Sequence, residues 1–143
     1  MIKMKIKIVN SEEELNKVLK LRSKVFVEEQ GVPEELERDE KDEDAIHLIA
    51  KIEENVVGCG RIVLNNNKGK IGRVAVAKNY RNQGLGTKIC QRLIEIAGEH
   101  QLAKVILHAQ YQTVDFYKEL GFKETGTPFQ EAGIKHIKMF YHI

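Results

Sequence analysis

The sequence predicts an α/β domain, and three of its patterns carry that prediction. Residues 3–9 alternate charged and apolar side chains, which is typical of a strand with one buried face. Residues 85–99 repeat apolar side chains at helical spacing. Between them, an apolar strand at residues 70–77 runs through a glycine turn into that helix. A chain of 143 residues has the length of one domain, and we expect residues 1–143 to form it.

The first half of the chain predicts a helix followed by strands. Ser11 and Glu14 have the spacing of a capping box, so a helix begins there. Pro33 interrupts regular structure within residues 31–44, a segment rich in carboxylates. Strands joined by short turns follow at residues 45–53, 56–64 and 70–77.

The second half of the chain alternates helices and strands. After the helix at residues 85–99, a short apolar run at residues 104–109 predicts a buried strand. Residues 112–120 predict a short helix that ends at Gly121, because glycine adopts the left-handed conformation common after a helix C-terminus. Two last strands are expected at residues 122–125 and 134–141, and the final one could pair across a homodimer.

Composition and charge exclude several classes of function. The formal net charge of +2 and the scattered lysines argue against nucleic-acid binding. No apolar run approaches the length of a membrane span, and the N-terminus does not have the pattern of a signal peptide. Cys59 and Cys90 lie in apolar surroundings without the spacing of metal ligands. We therefore expect reduced core thiols, no metal, no membrane partner and a cytoplasmic protein.

The turn before the second long helix has the features of a phosphate site. Gly84 and Gly86 lack a Cβ, so the backbone can come close to a ligand there. The first turn of the helix offers unpaired N–H groups at the positive end of its dipole. The spacing is not that of a P-loop, and Ile89 breaks the dinucleotide fingerprint. What remains is Arg-x-x-Gly-x-Gly, beginning at Arg81.

This pattern resembles the acetyl-CoA signature of the GCN5-related N-acetyltransferase (GNAT) superfamily. Residues 116–122, FYKELGF, are similar to the F-Y-x-x-x-G-F segment that closes the superfamily's cofactor site. Residues 21–30, LRSKVFVEEQ, are similar to the first helix of a bacterial branch of uncharacterised members. The resemblance spans nearly the whole chain. It implies a mixed central β-sheet flanked by helices on both faces, with parallel strands that splay apart at the cofactor site.

The resemblance also implies acetyl-CoA as cosubstrate and assigns its contacts by position. Backbone groups of the central strand would pair with the pantetheine arm and stabilise the oxyanion of a tetrahedral intermediate. Backbone N–H groups of the glycine turn would hold the pyrophosphate. Whether the Arg81 side chain adds charge there or is simply solvated stays open. The implied cofactor-binding residues are Val74, Ala75, Val76, Arg81, Asn82, Gln83, Gly84, Leu85, Gly86 and Thr87.

Acid–base chemistry has several candidate side chains. Tyr117, in the F-Y-x-x-x-G-F segment, would protonate the leaving CoA thiolate; the alternative is a core tyrosine whose hydroxyl bonds the backbone. The general base is open between Glu29, just beyond the first helix, and His108, near the splayed end of its strand. His47 and Asp39 are weaker candidates.

The carboxylate run at residues 34–44 has two interpretations. It could line the acceptor site and favour a cationic amine, or it could be a solvated loop, as charge runs usually are. The function predicted from the resemblance is transfer of an acetyl group from acetyl-CoA to a primary amine, by direct attack in a ternary complex. The acceptor would be a small-molecule or peptide amine.

Two alternatives to this function stay open. Several early residues are similar to marks of acyl-homoserine lactone synthases, which use S-adenosylmethionine and an acylated carrier protein: Arg22, Phe26, Glu37, Asp39, Asp42 and Arg61. Against that alternative, the chain has no Trp and keeps the CoA glycine turn intact. The second alternative is a non-catalytic CoA-binding sensor, which would bind acetyl-CoA without releasing CoA.

Overall fold

The computed structural model describes residues 3–143 and is built on one seven-stranded sheet. Its strands are β1 (Met4–Ile8), β2 (Ile46–Ile52), β3 (Asn55–Asn65), β4 (Lys68–Val76), β5 (Lys104–Gln110), β6 (Lys123–Glu131) and β7 (Ile134–His142). The strand order is β1-β2-β3-β4-β5-β7-β6. The β4–β5 pair is parallel and the other neighbouring pairs are antiparallel, so the sheet is mixed, as predicted.

The helices of the described chain are α1 (Glu12–Arg22), α2 (Glu34–Glu37), α3 (Leu85–Glu99) and α4 (Val114–Glu119). Helix α1 continues as π-helical turns over Ser23–Glu29. The predicted bounds of the second long helix are confirmed, because apolar periodicity and the glycine turn define both ends of α3 locally.

Three local predictions need correction. Residues 31–44 are not irregular throughout, since they contain α2 and a 3-10 turn at Glu40–Glu43. The sixth strand extends from Lys123 to Glu131, because its pairing with β7 resumes at Phe129 after an irregularity. Strand β7 lies between β5 and β6, so both of its edges are already paired and it cannot form a homodimer by adding a strand. The edge strands of the described sheet are β1 and β6.

Helices cover both faces of the sheet, as predicted. Alternate residues of β2 show this directly, because successive side chains of a strand point to opposite faces. Leu48 and Ala50 belong to a core cluster with Ile89 and Leu93 of α3. Ile49 belongs to the opposite cluster, which contains Val18 of α1.

Strands β4 and β5 separate at their C-terminal ends. Their pairing runs from Lys68 opposite Lys104 to Ile71 opposite Leu107, and it stops there although both strands continue. The β4 edge beyond Ile71 therefore has backbone groups that β5 does not pair. A register shift against β3 accompanies the separation, with Arg73 at a φ of 54°. The splayed parallel strands that the resemblance implied are confirmed.

Candidate active site

A cavity of about 470 Å³ opens at the splayed ends, on the face of the sheet that carries α1. Its floor is formed by side chains of β3, β4, β5 and β7, and its roof by the segment from the end of the π-helical turns through α2. Residues from distant parts of the chain meet in its lining, among them Phe26, Lys70, Val74, His108, Tyr117 and Glu131. A cavity of this size with convergent polar groups has the character of a small-molecule site.

Tyr117 reaches the cavity from α4. Its ring packs edge-on against Phe116 and Phe122, with ring centroids 5.0 and 5.7 Å apart. Burial raises the pKa of Tyr117 above its ordinary value, and the Cys90 thiol adds to that rise. The Tyr117 hydroxyl makes no hydrogen bond to another described residue. The ring is thus held by packing, while the hydroxyl keeps its proton.

His108 lies on β5 and forms a pair with a residue that sequence reasoning did not select. Its Nδ1 lies 2.9 Å from Oε1 of Glu131, at the end of β6. The hydrogen bond from His108 holds the pKa of Glu131 below its usual range. Phe129 packs edge-on against the imidazole at 5.0 Å, so the ring is oriented by contacts on two sides. No motif marks Glu131 in the sequence; only the pairing of β6 with β7 brings it beside β5.

The glycine turn presents the N-terminus of α3. Asn82 and Gly84 have φ angles of 62° and 83°, which place both in the left-handed region. Gly84 is the N-cap of α3, and no side chain caps the helix there. The first N–H groups of α3, at Leu85, Gly86 and Thr87, therefore stay available to an external acceptor. Gly86 also faces Phe116, since a Cβ there would lie 3.4 Å from its ring.

Comparison with known proteins agrees with this geometry. The family model for the acetyltransferase (GNAT) domain matches residues 7–143. The chain belongs to the GNAT acetyltransferase family. GNAT enzymes are acyltransferases that use acyl-CoA, and the coarser part of the predicted function, acyl transfer, follows from membership.

Individual relatives cover nearly the whole GNAT domain. The uncharacterized protein YyaT of Bacillus subtilis is 39% identical over 139 residues, which are 95% of this chain and 94% of YyaT. The uncharacterized N-acetyltransferase YjcF of Bacillus subtilis is 37% identical over 137 residues, 95% of this chain and 98% of YjcF. An acyl-CoA N-acyltransferase from Pseudomonas aeruginosa is 28% identical, with a TM-score of 0.84 over 98% of this chain and 99% of that chain.

The acyl-homoserine lactone synthases, the alternative class with this fold, are represented by a neighbour of lower sequence identity. A CoA-dependent acyl-homoserine lactone synthase superimposes with a TM-score of 0.84, over 99% of this chain and 84% of that chain, at 20% identity. At that identity the likeness shows the shared fold alone.

Glu29, the other predicted base of this GNAT domain, is not part of the cavity lining. Its carboxylate lies 2.8 Å from Nη2 of Arg81, and both side chains are about one-third exposed, at 34% and 37%. Arg81 also donates from Nε to the Val76 carbonyl at 2.8 Å. The Arg81 side chain is thus folded back onto the end of β4, neither freely solvated nor extended from the turn.

The acidic segment and three arginines form a network, which we call the arginine–carboxylate network. Arg22, which is fully buried, bonds Glu37 and Asp42. Arg61 of β3 bonds Asp39 and Asp42. Arg73 of β4 bonds Glu37 and Asp39. The network therefore consists of Arg22, Arg61, Arg73, Glu37, Asp39 and Asp42. The interpretation of the run as a solvated loop is therefore wrong for these three carboxylates. Their charges are paired, so they do not offer a free anionic surface to the cavity.

The remaining candidates do not meet in the cavity. His47 is 5% exposed and its Nε2 lies 2.9 Å from the Asp42 carbonyl, outside the cavity lining. Cys59 and Cys90 are free and buried, and burial raises the pKa of each thiol to about 12. Within residues 3–143, no three His, Cys, Asp or Glu side chains are grouped as metal ligands. None of the helices in that range is long and apolar enough to cross a membrane.

Proposed function

We propose that this GNAT protein transfers the acetyl group of acetyl-CoA to a primary amine, by direct attack of the amine in a ternary complex. The observation that carries the proposal is the cavity at the splayed end of β4, which has Tyr117 and His108 in its lining. An acyl donor lying along β4 would present its thioester at the cavity, where an amine can meet it. Residues 1–143 would form one catalytic domain, and its free, buried cysteines support a cytoplasmic location.

The chain offers acetyl-CoA two kinds of backbone contact. The unpaired β4 edge at Val74–Val76 would accept the pantetheine arm as an added strand, with an N–H of that edge on the oxyanion. The uncapped N–H groups of Leu85, Gly86 and Thr87 would hold the pyrophosphate, together with the preceding turn residues. The Arg81 guanidinium would stabilise the end of β4 beside the arm, because it already bonds the Val76 carbonyl.

The two cavity side chains would move the protons. With Nδ1–H of His108 donated to Glu131, Nε2 has a free lone pair and accepts a proton from the substrate ammonium, which gives the neutral amine that attacks. The neutral amine nitrogen then forms the new C–N bond. As the tetrahedral intermediate collapses, the C–S bond breaks and the nitrogen loses its extra proton to solvent. The Tyr117 hydroxyl, which faces the cavity, would donate its proton to the departing thiolate. Glu29 stays a candidate base whose role a separate variant tests.

Calorimetric titration with acetyl-CoA, followed by a free-thiol release assay on a panel of amines, tests this function. We expect wild type to bind acetyl-CoA and to release thiol only with an amine present. Tyr117→Phe should bind acetyl-CoA as wild type does but turn over about tenfold to ten-thousandfold more slowly. Gly84→Asp serves as the binding-defective control, because its carboxylate would repel the pyrophosphate. Binding without thiol release across the panel would favour a sensor, and an unchanged Tyr117→Phe rate would contradict the acid role.

A further inference from the structure

The charges around the cavity do not cancel. The arginine–carboxylate network contains three guanidinium and three carboxylate groups, so it is neutral as a unit. Outside it, the charged lining residues are Lys41, Lys70 and Glu131, with His108 and His136 as neutral or cationic groups. Glu131 is already bonded to His108. The lining thus has an excess of positive charge.

Lys70 is the more buried of the two lysines in the cavity lining, since Lys41 is exposed. It is partly buried on β4, and no ion pair or hydrogen bond joins its Nζ to a described residue. Burial lowers the pKa of Lys70, Glu131 opposes this at longer range, and the cations Lys41, Arg61 and Arg73 lower it further. A partly buried ammonium without a counterion is unfavourable unless a ligand supplies the charge.

The sheet register places Lys70 close to the proposed base. Lys70 lies opposite Ile106 on β5, and His108 follows two residues later on the same face. Both side chains line the cavity. An anion on Lys70 would therefore leave an amine a few atoms away at the level of His108 and the splayed strand ends.

We infer that the acceptor is an amine that also bears an anionic group, a carboxylate or a phosphate, which Lys70 binds while the amine faces His108. The inference rests on the proposed acetyl transfer and names its substrate class. It is the opposite of the interpretation in which the acidic run favours a cationic amine, because arginines neutralise Glu37, Asp39 and Asp42. The carbon skeleton of such a molecule could contact the apolar part of the cavity lining, which consists of Phe26, Val32, Leu36 and Val63 among other residues.

Two pairs of probes separate the anionic group from the amine. L-leucine is compared with L-leucinamide for the carboxylate, and phosphoethanolamine with ethanolamine for the phosphate. Each is assayed by thiol release with acetyl-CoA and by calorimetric titration of the CoA-bound protein, which needs no turnover. The variants are Lys70→Met, Lys70→Arg to restore the charge, and Lys68→Met, a matched control on β4 outside the cavity.

We expect wild type to prefer the anionic member of at least one pair. Lys70→Met should raise KM and Kd for that member about tenfold to a hundredfold, because a charged hydrogen bond is lost. Lys70→Arg should recover part of the lost affinity. KM and Kd for the uncharged member should not change in any variant, and those for the anionic member should not change in Lys68→Met. Equal response of both members, or preference for uncharged amines or polyamines, would overturn the inference while leaving acetyl transfer intact. If none of the amines caused thiol release, the proposed function would be contradicted. The calorimetric titrations, which need no turnover, would then still show whether Lys70 binds the anionic group.

Discussion

At the scale of single residues, the proposed chemistry depends on two side chains held by different kinds of contact. Tyr117 is positioned by aromatic packing against Phe116 and Phe122, which leaves its hydroxyl unengaged. His108 is positioned by a hydrogen bond from Nδ1 to Glu131, which orients the other ring nitrogen for proton transfer. Packing leaves the Tyr117 hydroxyl free to donate to a leaving group, and a carboxylate partner favours a base that must gain a proton.

His108→Gln compared with Glu29→Gln separates the two proposed bases. His108→Gln should reduce turnover about tenfold to ten-thousandfold without weakening acetyl-CoA binding. Glu29→Gln should leave turnover near wild type, because its carboxylate is engaged by Arg81 outside the cavity. The measurement is kcat against pH for both variants. A large loss in Glu29→Gln with none in His108→Gln would assign the base to Glu29.

At the scale of elements, the contact between β3 and α3 determines how closely helix and sheet approach. Gly60 faces the helix, and a Cβ there would lie 2.9 Å from Cγ2 of Ile89 and 3.0 Å from Cδ1 of Leu93. Both of those side chains are fully buried, so the contact has little freedom to relax. This close approach holds α3 against β3, and α3 in turn holds the glycine turn at the end of β4.

Gly60→Val tests this packing. The added side chain must displace Ile89 and Leu93, so we expect a loss of about 1–3 kcal/mol in the free energy of unfolding, measured with urea. Gly72→Ala is the control on the adjacent strand, because its nearest atom to the new Cβ is Nε of Arg61 at 4.0 Å. Equal stability of Gly60→Val and wild type would show that the helix can move away from the sheet at little cost.

At the scale of the whole molecule, the arginine–carboxylate network joins α1, α2 and two central strands. Hydrogen bonds from Arg61 hold the pKa of Asp39 below 3.8, its usual value, against the opposing effect of burial. Burial opposes ionisation of Asp42 as well, yet hydrogen bonds from Arg22 and Arg61 hold its pKa below the usual value of 3.8. Both carboxylates therefore stabilise the fold above pH 3.8, and that stabilisation is lost as pH falls through their lowered values.

Arg61→Met tests the network through its pH dependence. Removing the guanidinium takes one of two arginine partners from Asp39 and from Asp42, which keep Arg73 and Arg22. We therefore expect a loss of about 1.5–3 kcal/mol in unfolding free energy at pH 7. The difference from wild type should shrink as pH falls below 3.8 through the lowered pKa values of Asp39 and Asp42, because the carboxylates become protonated. Arg92→Met is the control, because its exposed ion pairs with Glu95 and Glu99 contribute little. A difference that does not vary with pH would contradict the electrostatic role.

The sequence by itself determined the features that depend on local spacing, namely α3, the glycine turn before it and the caps of α1 and α4. Apolar spacing defines α3, and Gly121 ends α4 as predicted: its φ is 105°, with N–H groups of Gly121 and Phe122 bonded to Lys118 and Tyr117 carbonyls at 3.0 Å. Ser11 caps α1 through the Glu14 N–H at 3.1 Å, although the Glu14 carboxylate reaches Asn10 instead of Ser11. These features depend on neighbours three to five residues apart, so their physical cause is visible in the sequence.

Only the tertiary structure decided which charges meet. Arg22 lies 15 residues from Glu37, Arg73 lies 36 from it, and His108 lies 23 from Glu131. No local spacing encodes those pairs; they exist because β3, β4 and β5 are neighbours in the sheet and the acidic segment folds across them. Pairing by the fold turns the acidic residues Glu37, Asp39 and Asp42 into a neutral network and leaves Lys70 in the cavity lining without a partner among the described residues. The net charge of the cavity lining follows from that pairing, because only the charges without a partner act on a bound molecule.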